Sequence, residues 1–162
     1  MAGLSALSRD QFEGYASLFG VADGAGDRVA AGAFAASLRR RGAHQVRMLY
    51  QHFPHAPIGV WEEIREDRRG LYVRGRLSSD VEQARDVRAL LADGALNGLS
   101  IGFRTLRARR IAGGRELLEV ELWEVSVVTF PLLAGSTVTR IGAGDGLADV
   151  FRAGSTMLRA AE

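Results

Sequence analysis

From residue 12 onward, short apolar runs alternate with breaks rich in glycine and aspartate. Phe12 to Phe19 (FEGYASLF) is rich in aromatics and ends at Gly20. It predicts a strand, followed by a turn over Ala22-Asp23-Gly24-Ala25-Gly26-Asp27. Ala31 to Arg41 predicts a short helix stopped by Gly42, with arginines in its last turn, where the helix dipole favours cations. Val46 to His52 alternates, which puts Val46, Met48, Tyr50 and His52 on one face of a strand before Pro54 and Pro57 break the ladder. Ile58 to Arg65 and Leu71 to Leu77, around Glu66-Asp67-Arg68-Arg69-Gly70, predict a hairpin. Ser79-Asp80-Val81-Glu82 has the spacing of a capping box and opens a helix to about Ala92, with Gly94 near its stop. Leu99 to Leu106 and Leu117 to Phe130 predict the last strands, joined across Gly113-Gly114. After Pro131 the pattern weakens.

These elements form a core over residues 10–140, with about six strands interrupted by two helices. The strands cluster in hairpins and do not alternate regularly with helices, which disfavours a doubly wound parallel sheet. The expected fold is α+β and mostly β, an antiparallel β-barrel or sandwich with helices attached. Residues 1–140 are read as the domain, and the Gly/Ala-rich residues 141–162 as a C-terminal tail with one marginal helix.

Length and composition narrow this further. A chain of 162 residues has the size of one compact domain. No apolar run approaches the roughly 18 residues of a membrane span, so no membrane is expected. The start, MAGLSALSRDQF, has neither a basic leader nor a sustained apolar stretch, so no secretory signal is expected. There is no Cys, which excludes disulfides, thiolate metal sites and cysteine catalysis. All 21 basic residues are Arg, against 19 acidic ones, for a net charge of +2. The pI of 9.6 therefore reflects guanidinium chemistry rather than a large charge. Apart from Arg39-Arg40-Arg41 and the stretch Arg104 to Arg115, the arginines are scattered, and nucleic acid is not an expected partner. A lysine nucleophile is impossible.

Gly98-Leu99-Ser100-Ile101-Gly102 fits the G-x-S-x-G pattern of the α/β-hydrolase elbow. The chain is short for that fold, and His44, His52 and His55 all precede Ser100, so the elbow reading fails. A Ser–His pair is nevertheless defined by spatial role, not chain order. Ser100 would need an adjacent base, and His52 is the candidate; the competing reading of His52 is a packed core residue. Gly98 and Gly102 share the side of Ser100, and either leave space there for a substrate or allow close strand packing. Leu118, Val120, Leu122, Glu124, Ser126, Val128 and Phe130 share one parity, which sets Glu124 on an apolar face. A buried carboxylate costs several kcal/mol unless paired; a histidine or an arginine such as Arg104 would serve. His44, His52 and His55 with Glu62 or Glu63 match no established metal spacing, and no metal or other cofactor is expected.

Four strings, in this order, resemble the prohead (capsid maturation) proteases of tailed phages: FEGYASLFGVADGAGDRVAAGAFAASL, MLYQHFPHAPIGVWEEIREDRRGLYVRGRL, GALNGLSIGF and LWEVSVVTFPL. The resemblance runs from Phe12 to Thr139, about four-fifths of the chain. It implies a fold similar to herpesvirus assembly proteases, a β-barrel surrounded by helices. It puts Ser100 at the nucleophile position, His52 at the general base, and Glu124 at the acid that orients the histidine. Glu121, of opposite parity, is the fallback for that acid. The implied activity is that of a serine endopeptidase without a cofactor. Its implied substrate is the scaffolding region of the major capsid protein, and itself, cut inside an immature capsid in the bacterial host cytoplasm. Self-association belongs to the same expectation, and the tail after Ile141 is the site to examine for self-cleavage. Phage-derived gene transfer agents use this protease type too. The glycine-containing loop Ile111 to Arg115 is one place to look for oxyanion donors. Two positions depart from the family: Phe53 follows His52 where an Asp is common, and Ala31 stands where Pro is common. The alternatives are a catalytically inactive capsid-assembly module that binds the scaffold, and a small-molecule serine esterase, weakened by the lack of an apolar lid.

Overall fold

The computed structural model describes residues 6–143. In chain order the elements are β1 (Gln11–Leu18), β2 (Asp27–Val29), α1 (Ala35–Arg41), β3 (Arg47–Tyr50), β4 (Pro57–Glu66), β5 (Gly70–Leu77), α2 (Glu82–Asp93), β6 (Gly98–Ile111), β7 (Gly114–Val128) and β8 (Val138–Ile141). The fold is mostly β with two helices, as the hairpin pattern predicts. Two short strands, β2 and β8, escape the pattern because three or four residues carry too little periodicity. Ile141 and Gly142, expected in the tail, belong to the sheet: Gly142 donates to Gln11 O at 2.8 Å. The remainder of the expected tail, from residue 144, lies outside the described residues.

All eight strands join one sheet in the order β2-β7-β3-β4-β5-β1-β8, with β6 paired to β7. The expected antiparallel arrangement is corrected to a mixed one, because both β2 and β3 run parallel to β7. The 15-residue β7 gives one edge to β6 and divides the other. β2 takes Arg115 to Leu117, and β3 takes Glu124 to Val127. The gap between them is covered by the α1 region, where Ala33 O accepts Val120 N at 3.0 Å and the buried Ser37 Oγ accepts Leu122 N at 2.9 Å. Parallel pairing needs a crossover, and the segment carrying α1 supplies it.

The core lies inside the curl of the sheet, among Phe12, Phe34, Ile58, Trp61, Leu71 and Leu99. Phe12 meets Trp61 edge to face at 5.4 Å. Met48 lies over two glycines: a Cβ on Gly59 would stand 2.8 Å from its Sδ, and one on Gly75 would overlap its Cε. Those absent side chains let β3 sit close to β4 and β5. At α2 the expected capping box does not form: Val81 is the N-cap, and no side chain caps the helix. Gly94 ends it in the left-handed conformation, φ 75°, as expected of a glycine stop.

Candidate active site

β7 is the platform of the site. Across one edge Ser126 faces Ser100 and Glu124 faces Gly102 of β6. Across the other, Leu49 of β3 pairs with Ser126 and Tyr50 with Val127. Directly opposed residues project to the same face, so Ser100, Ser126 and Glu124 share one side of the sheet. That side is not the core. Val120 and Leu122 are core residues, but so are Val125 and Val127, so the inward parity switches at Trp123. The register shows why: Gly102 pairs with Glu124 and Phe103 with Leu122, leaving Trp123 as a bulge. The single apolar parity read from the sequence is therefore corrected, and the bulge turns Glu124 to the outer face.

His52 arrives by a different device. β3 stops at Tyr50, and the expected continuation of the strand through His52 gives way to a tight turn. Gln51 and His52 have φ of 53° and 62°, and Phe53 N bonds Tyr50 O at 3.0 Å, the pattern of a type I′ turn. Left-handed backbone costs about 1–2 kcal/mol for each non-glycine residue. Contacts with β7 and the residue that follows it offset this at about 0.5–1.5 kcal/mol per hydrogen bond. Gln51 N donates to Val127 O at 3.0 Å and Gln51 Nε2 to Thr129 Oγ1 at 2.6 Å. Thr129 N donates back to Gln51 Oε1 at 3.2 Å, and His52 N donates to Ser126 Oγ at 3.2 Å. The ring of His52, 43% exposed, is thus presented on a surface turn rather than on an apolar strand face.

Its Nδ1 lies 2.6 Å from Glu124 Oε1. The other carboxylate oxygen, Oε2, accepts Ser126 Oγ at 2.6 Å. Glu124 is 13% exposed, and each of its oxygens has a partner, which meets the cost of burying it. An ionised carboxylate on Nδ1 holds the proton there and leaves Nε2 as the basic nitrogen. Ser126, whose Oγ joins His52 N to Glu124, was not singled out from the sequence. Its signal is a hydroxyl two residues after a candidate carboxylate on the same strand face.

Ser100 is 8% exposed, and its hydroxyl forms no hydrogen bond among the described residues. The space beside it is not free at either glycine. A Cβ on Gly102 would overlap the Glu124 carboxylate, and one on Gly98 would stand 2.5 Å from Val128 O and 2.8 Å from Pro131 Cδ. The room for a substrate lies instead along β6. Its outer edge is bridged only at Gly98, to Thr137, and no strand pairs with it from Ser100 onward among the described residues.

Other candidates lie elsewhere. Glu121 is taken by Arg41 at 3.1 Å and Arg104 at 2.9 Å. The hydrogen bond from Arg41 leads in holding its carboxyl below the ordinary range, followed by that of Trp123. Arg104 therefore pairs with Glu121 and not with Glu124. The arginine-rich stretch of β6 faces glutamates of β7: Arg107 meets Glu119 at 4.0 Å, and Arg109 is hydrogen-bonded to Glu116. Such exposed pairs add little stability, but they cancel the local positive charge. His55 stacks on Phe53 at 5.5 Å, and His44 sits in a 3-10 turn over Ala43–Gln45. The loop Ile111 to Arg115 closes the β6–β7 hairpin, and Arg115 there holds Asp27 through contacts of 3.0 and 2.5 Å.

A family model described as Caudovirus prohead serine protease matches residues 3–144. The prohead protease of Enterobacteria phage HK97 is 36% identical over 143 residues, which cover 84% of this chain and 62% of that protein. The chain thus spans about three-fifths of the length of this relative. Among solved structures, the capsid assembly protease of bacteriophage T4 aligns with a TM-score of 0.62 at 14% identity, over 75% of this chain and 82% of that one. KSHV protease, solved with a hexapeptide phosphonate inhibitor, aligns with a TM-score of 0.51 at 11% identity, over 79% and 63%. At those identities the two structures establish a shared fold.

Proposed function

The chain belongs to the Caudovirus prohead serine protease family, and on that footing we propose that it is a serine endopeptidase that cuts the scaffolding region of a major capsid protein during capsid maturation. The observation that carries this reading is the hydrogen-bonded line from Ser126 through Glu124 to His52, laid along β7 opposite Ser100. The curled sheet is read as the counterpart of the herpesvirus protease barrel, supported by the likeness to KSHV protease. Residues 1–140 are taken as the protease domain.

In the proposed mechanism, an extended substrate strand pairs with the open edge of β6, which brings a peptide carbonyl to Ser100. Ser100 Oγ attacks the carbonyl carbon while His52 Nε2 takes the hydroxyl proton, and Glu124 steadies the imidazolium through Nδ1–H. Collapse of the tetrahedral intermediate expels the amine, which receives the proton from His52. Water, deprotonated by the same imidazole, then releases the acyl group and restores Ser100. Ser126 acts through Glu124 as a positioning residue. The proposed place of action is the immature capsid within the host cytoplasm. Self-association and self-cleavage after Ile141 belong to the same reading. No helix among the described residues is long and apolar enough to cross a membrane.

Intact-mass spectrometry after co-expression with the capsid protein of the same genome tests this. A shortened capsid protein with wild type, and a full-length one with Ser100→Ala, is the expected result. Full-length capsid protein assembled into particles in both cases would replace the protease reading with a non-catalytic assembly module.

A further inference from the structure

A pocket opens beside Ser100, between the end of β1, the loop that precedes β2, and the segment after β7. Its wall is apolar at Val21, Val29 and Leu132, and it has polar groups at Ser17, Asp23 and Ser100. Two of these groups are unusual. Ser17 is 1% exposed, and its Oγ has no hydrogen-bond partner. A buried hydroxyl in that state is costly unless something else completes it. Asp23 uses Oδ1 to build its loop, accepting Ala25 N at 2.9 Å and Asp27 N at 3.0 Å, and its Oδ2 forms no hydrogen bond among the described residues. The neighbouring Asp27 is paired with Arg115, through contacts of 3.0 and 2.5 Å. The pocket thus sets a carboxylate oxygen that accepts no hydrogen bond and a buried hydroxyl without a partner beside an apolar wall, with two carboxylates, Asp23 and Asp27, sharing the single guanidinium of Arg115.

We propose that this pocket is the subsite for a basic side chain, Lys or Arg, flanking the bond that Ser100 attacks. A long methylene stem suits the apolar wall, and its cationic head suits Asp23 Oδ2 and Ser17 Oγ, both of which can accept hydrogen bonds. A short apolar side chain would leave both groups unpaired, and an acidic one would face Asp23 directly. Discrimination arises mainly from that penalty, because a site built to hydrogen-bond rejects ligands that cannot. This inference rests on the protease reading and goes further by naming the substrate class.

A library of proteome-derived peptides, digested by wild type and by Ser100→Ala and sequenced at every cut, reads the preference with no change to the pocket. The expected result is enrichment of Lys or Arg at one position flanking the cut, absent with Ser100→Ala. Two peptides that differ only in Lys or norleucine at that position then measure the pocket. Asp23→Asn, whose amide oxygen can still accept the two loop N–H groups, is expected to lower the Lys/norleucine ratio of kcat/KM by about tenfold or more. Ser17→Ala is expected to lower it by about threefold. Ser100-dependent cuts flanked by small, apolar or acidic residues, or a ratio unchanged in Asp23→Asn, would overturn the subsite while leaving the protease reading intact. Cutting that is equal in wild type and Ser100→Ala would remove both.

Discussion

Gly102 lies opposite Glu124 across the β6–β7 ladder, and a Cβ at position 102 would stand 2.7 Å from Cδ and 2.8 Å from Cγ of that side chain. The missing side chain of one residue is the seat of the other. Gly102→Ala is therefore expected to displace the carboxylate from His52 while leaving the strand pairing in place. A shift of about 1 Å in an orienting group can cost on the order of a hundredfold in rate. Peptide hydrolysis should fall by about ten- to a hundredfold, with the circular dichroism spectrum unchanged. An unaltered rate would separate Glu124 from the reaction.

Ser126 has no exposure, donates to Glu124 and accepts from His52 N. Ser126→Ala removes one partner from the carboxylate and one from the turn. The expected loss of stability is about 1–3 kcal/mol, measured by urea unfolding. A purely structural role would end there. A positioning role also lowers kcat with little change in KM, and Ser126→Thr should recover part of that loss.

Gly75 packs directly against the core side chains of Met48 and Trp61. An added Cβ would overlap Met48 Cε and approach Trp61 Cε3 to 2.7 Å. Gly75→Ala is expected to destabilise the protein by about 1–3 kcal/mol, as overpacking does, and to appear as a lower urea midpoint. Because Met48 is on the strand that leads to the His52 turn, activity should fall in the same variant.

The β4–β5 turn supplies an acid-sensitive contact. Burial alone would raise the Asp67 carboxyl, but Tyr15 Oη, the N–H groups of Arg69 and Gly70, and Arg65 outweigh it and hold the carboxyl below its ordinary value of 3.8. A depressed group contributes stability above its unfolded pKa and loses it as the pH falls through the folded one. The stability gap between wild type and Asp67→Asn should be full at about pH 7 and shrink below about pH 4, measured by urea midpoints across that range.

Tyr72 gives the opposite signature. Burial, then its hydrogen bond to Glu13, pushes the phenol up to about 12. Its contribution is fully present below the unfolded value of 10.0 and is lost as the pH rises through about 12. Wild type should lose more stability than Tyr72→Phe over that alkaline range.

Long elements with strong periodicity were legible in the chain. The β4–β5 hairpin, the extent of α2 and the Gly94 stop lie close to where the pattern sets them. What was not legible depends on register. No periodicity announces that Trp123 bulges out of β7 and reverses the faces of every residue after it. Nor does it announce that Gln51 and His52 turn left-handed, because β7 stabilises that turn from 70 or more residues away. The capping box failed for the same kind of reason: Ser79 lies before a helix that starts at Glu82, with Val81 as its cap. The residues of the candidate site could be named, then, but the geometry that brings His52 to Glu124 could not. Ser126 went unnoticed because a hydroxyl two residues after a carboxylate gains meaning only once the partners of that carboxylate are known.

The shared platform also has a consequence in time. A chain emerges from the ribosome in numerical order and begins to fold from its N-terminal side. The strand that leads to His52 is made early and that of Ser100 later, but β7, which both of them need, comes last of the three. A nascent chain that ends at Ile111 holds both residues and lacks the strand that brings them together. On the proposed reading, the protease is born unable to cut, and the delay is written into the order of its strands.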